Sequence, residues 1–166
     1  MYHVSVFVHI VAAMVWIGGM LFLALAIVPV TRHLPAVQRS ALLGAIGRRF
    51  RTIGWISLAL LIVTGIVSTS FRGVAWESVL SGAILGSWFG QVLAIKLVLV
   101  AATLAMSAAH DFVVGPASVR VSARQDEAAH REAASLRRLA SWMGRLNALI
   151  ALLIVALAVI LVRGLP

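Results

Sequence analysis

The chain has no cysteine in its 166 residues, which excludes disulfides, cysteine zinc sites, thiolate haem ligation and a thiol nucleophile. Charge is scarce as well. Only 11% of the residues are charged and only 5 are acidic, against 62% hydrophobic, where globular chains carry about 25% charged residues. That balance excludes an ordinary soluble enzyme. The 14 basic residues leave a net charge of +9, which on composition alone would suggest a nucleic-acid partner. The uninterrupted apolar runs point to a lipid bilayer instead, and no nucleic-acid partner is expected. The five methionines form no Met-x-x-Met or Met-His run. No internal repeat and no low-complexity tract are present.

Four segments, residues 4–30, 53–71, 91–114 and 146–162, are apolar over about the 20 residues that a transmembrane helix needs. The first has no basic region before it and no small-residue cleavage site, and it runs into Thr31-Arg32-His33, so it reads as a span and not as a signal peptide. The first connection carries Arg32, Arg39, Arg48, Arg49 and Arg51 without an acid. The third carries Arg120, Arg124, Arg131, Arg137 and Arg138, partly offset by Asp126, Glu127 and Glu132. Basic residues concentrate in cytoplasmic loops, so the first and third connections are expected inside. Both termini and the second connection are then expected on the outer, periplasmic side. The predicted architecture is an all-α integral membrane four-helix bundle, a single domain over residues 1–166 in the cytoplasmic (inner) membrane. Residues 74–88, with Trp76 and Trp88, read as a short interfacial or re-entrant segment. Residues 123–138 read as an exposed helical extension.

Ionisable groups inside spans are costly and usually face a bundle interior. At helical spacing, His9, Trp16 and Met20 share one face of the first span. Ser57, Thr64 and Ser68 line up on the second. Lys96, Thr103, Ser107 and His110 line up on the third. His110 lies fourteen residues below Lys96, roughly 21 Å along a helix, so His9 and His110 are not expected as trans ligands of one iron. An outer site is expected from His9, His3 and Lys96 with Trp88, and an inner cluster from His110, Asp111, Trp55, Arg145 and Asn147. Each has a plainer alternative. His9 can be an interfacial histidine bonded to backbone, Lys96 can snorkel to headgroups, and His110-Asp111 can be a boundary pair with Arg145.

Several stretches match a known family. His9-Ile-Val-Ala-Ala-Met-Val-Trp16-Ile-Gly-Gly19-Met-Leu-Phe, followed by Val28-Pro29, resembles the opening span of copper resistance protein D (CopD-type) membrane proteins. Arg49-Phe50-Arg51-Thr-Ile-Gly54-Trp55, running to Thr64-Gly65, resembles the second span, and Gly90-Gln-Val-Leu-Ala-Ile-Lys96-Leu the third. His110-Asp111-Phe112-Val-Val-Gly115-Pro116, Gly144-Arg145-Leu146-Asn147 and Val162-Arg163-Gly164 look like the remainder of a short single-domain member. The opening is more distantly similar to HemJ-type protoporphyrinogen oxidases. The first resemblance implies copper handling or transport across the membrane, with His9 as first-choice ligand and His3 and Met20 as weaker ones, a donor set suited to Cu(I). The second implies a b-type haem protein, in which His9 would ligate iron and Lys96 would hold a propionate, with Trp16 and His110 as further cofactor-binding candidates. No catalytic residue is assigned. A homo-oligomer, or an accessory place in a larger membrane complex, completes the partner expectations.

Overall fold

Every regular element in the computed structural model is helical over the residues it describes, 1–122 and 126–163. The chain folds as two units, Met1–Gly90 and Gln91–Pro166. The first opens with α1 (Tyr2–Phe22), which passes through a π-helical turn at Leu23–Ile27 into the short α2 (Val28–Val30) and a 3-10 turn at Thr31–His33. The π-helical turn has a local cause. Pro29 has no N–H for the carbonyl one turn back, and its ring would strike that carbonyl. The chain widens there, and Val28 N–H reaches Leu23 O. A second π-helical turn, Ala109–Val114, likewise ends two residues before a proline, Pro116, with Gly115 N–H bonded to His110 O.

The helix α3 (Ala36–Phe71) runs for 36 residues without a break. Extended Leu34 and Pro35 turn the chain into it, and no further proline follows before its end. Gly73 stops it: its positive φ of 74° lets its N–H fold back onto Ser70 O at 3.0 Å, while Arg72 N–H bonds Thr69 O. At about 1.5 Å per residue α3 is about 54 Å long, well beyond the about 30 Å of a hydrocarbon core. Arg39, Arg48, Arg49 and Arg51 therefore ride on its N-terminal half and are not in a loop. The expected 22-residue basic connection shrinks to a turn at Leu34-Pro35, because arginine, alanine and leucine are good helix formers however polar the stretch.

The second connection is two short helical pieces, α4 (Trp76–Leu80) and a 3-10 turn at Ala83–Gly86. Trp76 Nε1 donates to Ser70 Oγ at 3.0 Å, tying this segment back to the end of α3. Gly90 lies so close to the Ile84 carbonyl that no side chain fits at that position. Ser87 Oγ caps α5 (Trp88–Ala108) by accepting Gly90 N–H at 3.0 Å.

In the second unit, α5 leads through the 109–114 turn into α6 (Gly115–Ser122) and then α7 (Glu127–Arg163). Asp126 Oδ1 caps α7 by accepting Ala129 N–H. The expected extension is helical from Glu127 but not wholly exposed. Ala129 and Ala133 are buried against Val121 of α6, with Leu136 beside them. Residues 123–125 of that expectation lie outside the described residues. Asn147 Nδ2 donates to Ser107 Oγ at 3.0 Å, joining α7 to α5.

Four helical stretches, Tyr2–His33, Val37–Phe71, Trp88–Ser118 and Glu127–Val162, are long and apolar enough to cross a membrane. Their large side chains point outwards: Phe7, Met14, Leu25, Ile56, Val63, Val98 and Leu149 are all exposed. In water such surface would be an aggregation liability; in lipid it is the ordinary exterior. The protein is an all-α, multi-pass membrane protein.

Candidate functional site

The interface of α1 and α3 is built from rings laid on glycines. Phe50 of α3 fills the space where Gly19 would carry a side chain. One turn along, the Trp16 indole of α1 lies over Gly54; a methyl there would stand 3.6 Å from Trp16 Cδ1. Further along, His9 Cε1 would lie 3.6 Å from a methyl at Gly65. At the end of the helix pair, Tyr2 meets Phe71 edge to face at 5.8 Å. Small residues at such positions let two backbones approach closely, which is how helices associate where no water drives them together. Trp16 and Ala12 of α1 are buried, as are Ser57, Leu58 and Thr64 of α3.

The polar groups of this seam are concentrated at one level. His9 Nδ1 lies 2.8 Å from Thr64 Oγ1. Thr64 Oγ1 in turn donates to Leu60 O at 2.5 Å, with Leu61 O at 3.5 Å. One turn nearer the terminus, Ser5 Oγ reaches Thr64 O at 3.3 Å and Ser68 Oγ at 3.4 Å. Sequence spacing placed Thr64 and Ser68 on a polar face, and the structure turns that face towards His9. Ser5 had no signal of its own, because a lone serine near an apolar helix end is common.

The other candidates fall elsewhere. Trp16 is a packing residue of the seam. His3 is exposed and edge-on to the Tyr2 ring at 5.6 Å. Six residues on one helix put His3 and His9 on different faces. Met20 is half-buried, but eleven residues from His9 on α1, about 16 Å in rise, so the two do not meet at one ion. Among the described residues no three histidine or carboxylate side chains gather as a metal site.

Lys96 and His110 belong to the second unit. Lys96 is half-buried on α5. Two turns below it, Thr103 is 2% exposed, with no hydrogen-bond partner for its Oγ1 among the described residues. His110 occupies the π-helical turn before Pro116, and its Nδ1 pairs with Asp111 Oδ1 at 2.8 Å. Within the second unit, His110 pairs with Asp111, Asn147 with Ser107, and the Arg145 guanidinium lies over the Trp142 ring at 5.3 Å. Trp55 lies on α3, in the first unit.

Comparison with known proteins places these features. The family model of copper resistance protein D matches residues 44–161, a stretch that includes Thr64, Lys96 and His110 and begins after His9. An uncharacterized protein of Aquifex aeolicus (strain VF5) is 44% identical over 64 residues, 38% of this chain. The match spans 44% of that relative's length. No solved structure matches.

Proposed function

The chain belongs to the copper resistance protein D family, and from that premise we propose that it handles copper in the cytoplasmic membrane, with His9 as the residue that meets the ion. Both termini lie on the outer side in this reading, and copper is cargo that passes on. The observation that carries the proposal is the His9–Thr64 contact at 2.8 Å. It holds an imidazole in the α1–α3 seam, one turn from the Ser5 contacts to Thr64 O and Ser68 Oγ and among apolar and glycine packing. Imidazole suits copper ions, and a second soft donor such as a methionine thioether would favour Cu(I). Met20 does not reach the same point on α1, so α1 offers one imidazole at that level. A site that is weak enough to release its ion suits transfer better than storage. The roles of His3 and Met20 are then secondary, as separate stopping points for the ion.

The test is copper stoichiometry on the full chain in detergent, under reducing, anaerobic conditions, with and without His9→Ala. Bound Cu(I) that falls by one equivalent in the variant supports the reading. No bound copper at micromolar exposure overturns it. An absorption spectrum of the same sample decides the alternative: a reduced b-type band lost in His9→Ala would assign His9 to haem iron, with Lys96 as the candidate propionate partner.

A further inference from the structure

We propose that Thr64 is a positioning residue that fixes His9 as the Nδ1–H tautomer and so presents Nε2 as the lone-pair nitrogen for a soft cation. The inference rests on the copper reading for its cation, but its structural half stands on proton accounting alone. Two oxygens 2.5 Å apart, Thr64 Oγ1 and Leu60 O, repel unless a hydrogen lies between them. A carbonyl has none to give, so the hydroxyl proton of Thr64 is committed to Leu60 O. A hydroxyl carries one proton and two lone pairs. Towards His9 Nδ1, 2.8 Å away, Thr64 can therefore only accept, and the proton of that contact must be on Nδ1. A neutral imidazole has a single N–H, so its second nitrogen, Nε2, carries the lone pair.

The arrangement around this contact supports a dedicated role. Back-bonding of a threonine to the carbonyl one turn earlier is ordinary in helices; here it orients the Oγ1 lone pair at α1. The imidazole also lies against the α3 backbone at Gly65, where a methyl would stand in ordinary contact with Cε1 at 3.6 Å. Histidines that bind metals generally donate their other N–H to an oxygen, which fixes both tautomer and ring direction.

The experiment uses the full chain, labelled with 15N-histidine, in lipid nanodiscs at a pH where histidine is neutral, with His9→Gln to assign the resonances. The expected spectrum has a pyrrole-type Nδ1 and a pyridine-type Nε2 at His9. Thr64→Val, which keeps the shape but not the hydroxyl, should bring in the opposite tautomer, and Thr64→Ser should restore the first. A wild-type His9 protonated on Nε2, or an unchanged spectrum in Thr64→Val, overturns the proposal. Cu(I) titration of the same samples separates the two readings. Thr64→Val should weaken the His9 site about 10- to 100-fold, the usual cost of losing such a partner, and Thr64→Ser should recover it. If wild type binds no Cu(I) while its tautomer still depends on Thr64, the copper reading fails and the positioning role stands. If Thr64→Val binds Cu(I) through His9 as tightly as wild type, the copper reading stands and Thr64 loses its role.

Discussion

His9 and Thr64 meet at 2.8 Å although 55 residues separate them. They meet because α1 and α3 fold back on each other at Leu34-Pro35, so residues at similar distances from that turn face one another: Gly19 with Phe50, Trp16 with Gly54, His9 with Thr64, Tyr2 with Phe71. The polar pair lies within a run of steric contacts, and each contact helps hold the register that brings the imidazole to the hydroxyl.

The adjacent glycines Gly18 and Gly19 should therefore respond differently to the same substitution. A methyl at Gly19 would run into the Phe50 ring, whereas Gly18 has nothing within 4 Å. Gly19→Ala should destabilise the protein by about 1–3 kcal/mol, the usual cost of overpacking. Gly18→Ala should be neutral, or stabilising by up to about 1 kcal/mol through helix propensity. Thermal unfolding in detergent checks both, and a Gly19→Ala/Phe50→Leu double variant should recover most of the loss.

The bond from Asn147 to Ser107 should have a measurable but modest weight. Ser107→Ala removes the acceptor of a 3.0 Å bond between α7 and α5. Interhelical hydrogen bonds in membranes average about 0.6 kcal/mol and reach about 1.7 kcal/mol, so the loss should fall within that range. Asn147→Ala should cost more, because Asn147 is the more buried of the two and its amide packs as well as bonds. Unfolding by an ionic detergent gives both values.

Asp126 should hold the first turn of α7 in place. Its carboxylate accepts Ala129 N–H, and losing such a cap costs about 1 kcal/mol. That corresponds to roughly fivefold faster exchange of the Ala129 amide in Asp126→Ala, since about 1.4 kcal/mol is tenfold. Asp126→Ser should keep the slow exchange. Residues in the middle of α7 should not change in either variant.

Topology can be read without disturbing any native thiol, because the chain has no cysteine. Cysteines introduced one at a time at Ser40, exposed on the N-terminal half of α3, and at Ser78 in α4 should label from opposite sides. Only Ser78→Cys should react with an impermeant reagent added to intact cells. Labelling of Ser40→Cys from outside would reverse the orientation drawn from the arginines.

Much of the candidate site was already visible as periodicity. His9, Trp16 and Met20 share a helix face by counting alone, as do Ser57, Thr64 and Ser68. The partner of His9 was not, because hydropathy read residues 31–52 as a basic loop. A long flexible loop leaves the register of two spans open. Seen as helix from Ala36, with a turn only at Leu34-Pro35, the same residues specify which positions face each other. The π-helical turns before Pro29 and Pro116 were also readable in principle, from proline's missing N–H, but only inside segments already known to be helical.

The sequence by itself determined the class of the molecule: all-helical, four spans, and basic residues gathered in two stretches that set an expected orientation. Hydropathy and charge are local sums, so they survive without knowledge of any contact. The tertiary structure alone decided that His9 bonds Thr64, that Trp16 and Phe50 pack on glycines, and that Ala129 and Ala133 are covered by Val121. Those outcomes depend on side chains tens of residues apart reaching the same few ångströms, and on where a single hydroxyl proton is committed. No local sum of residue properties contains that information.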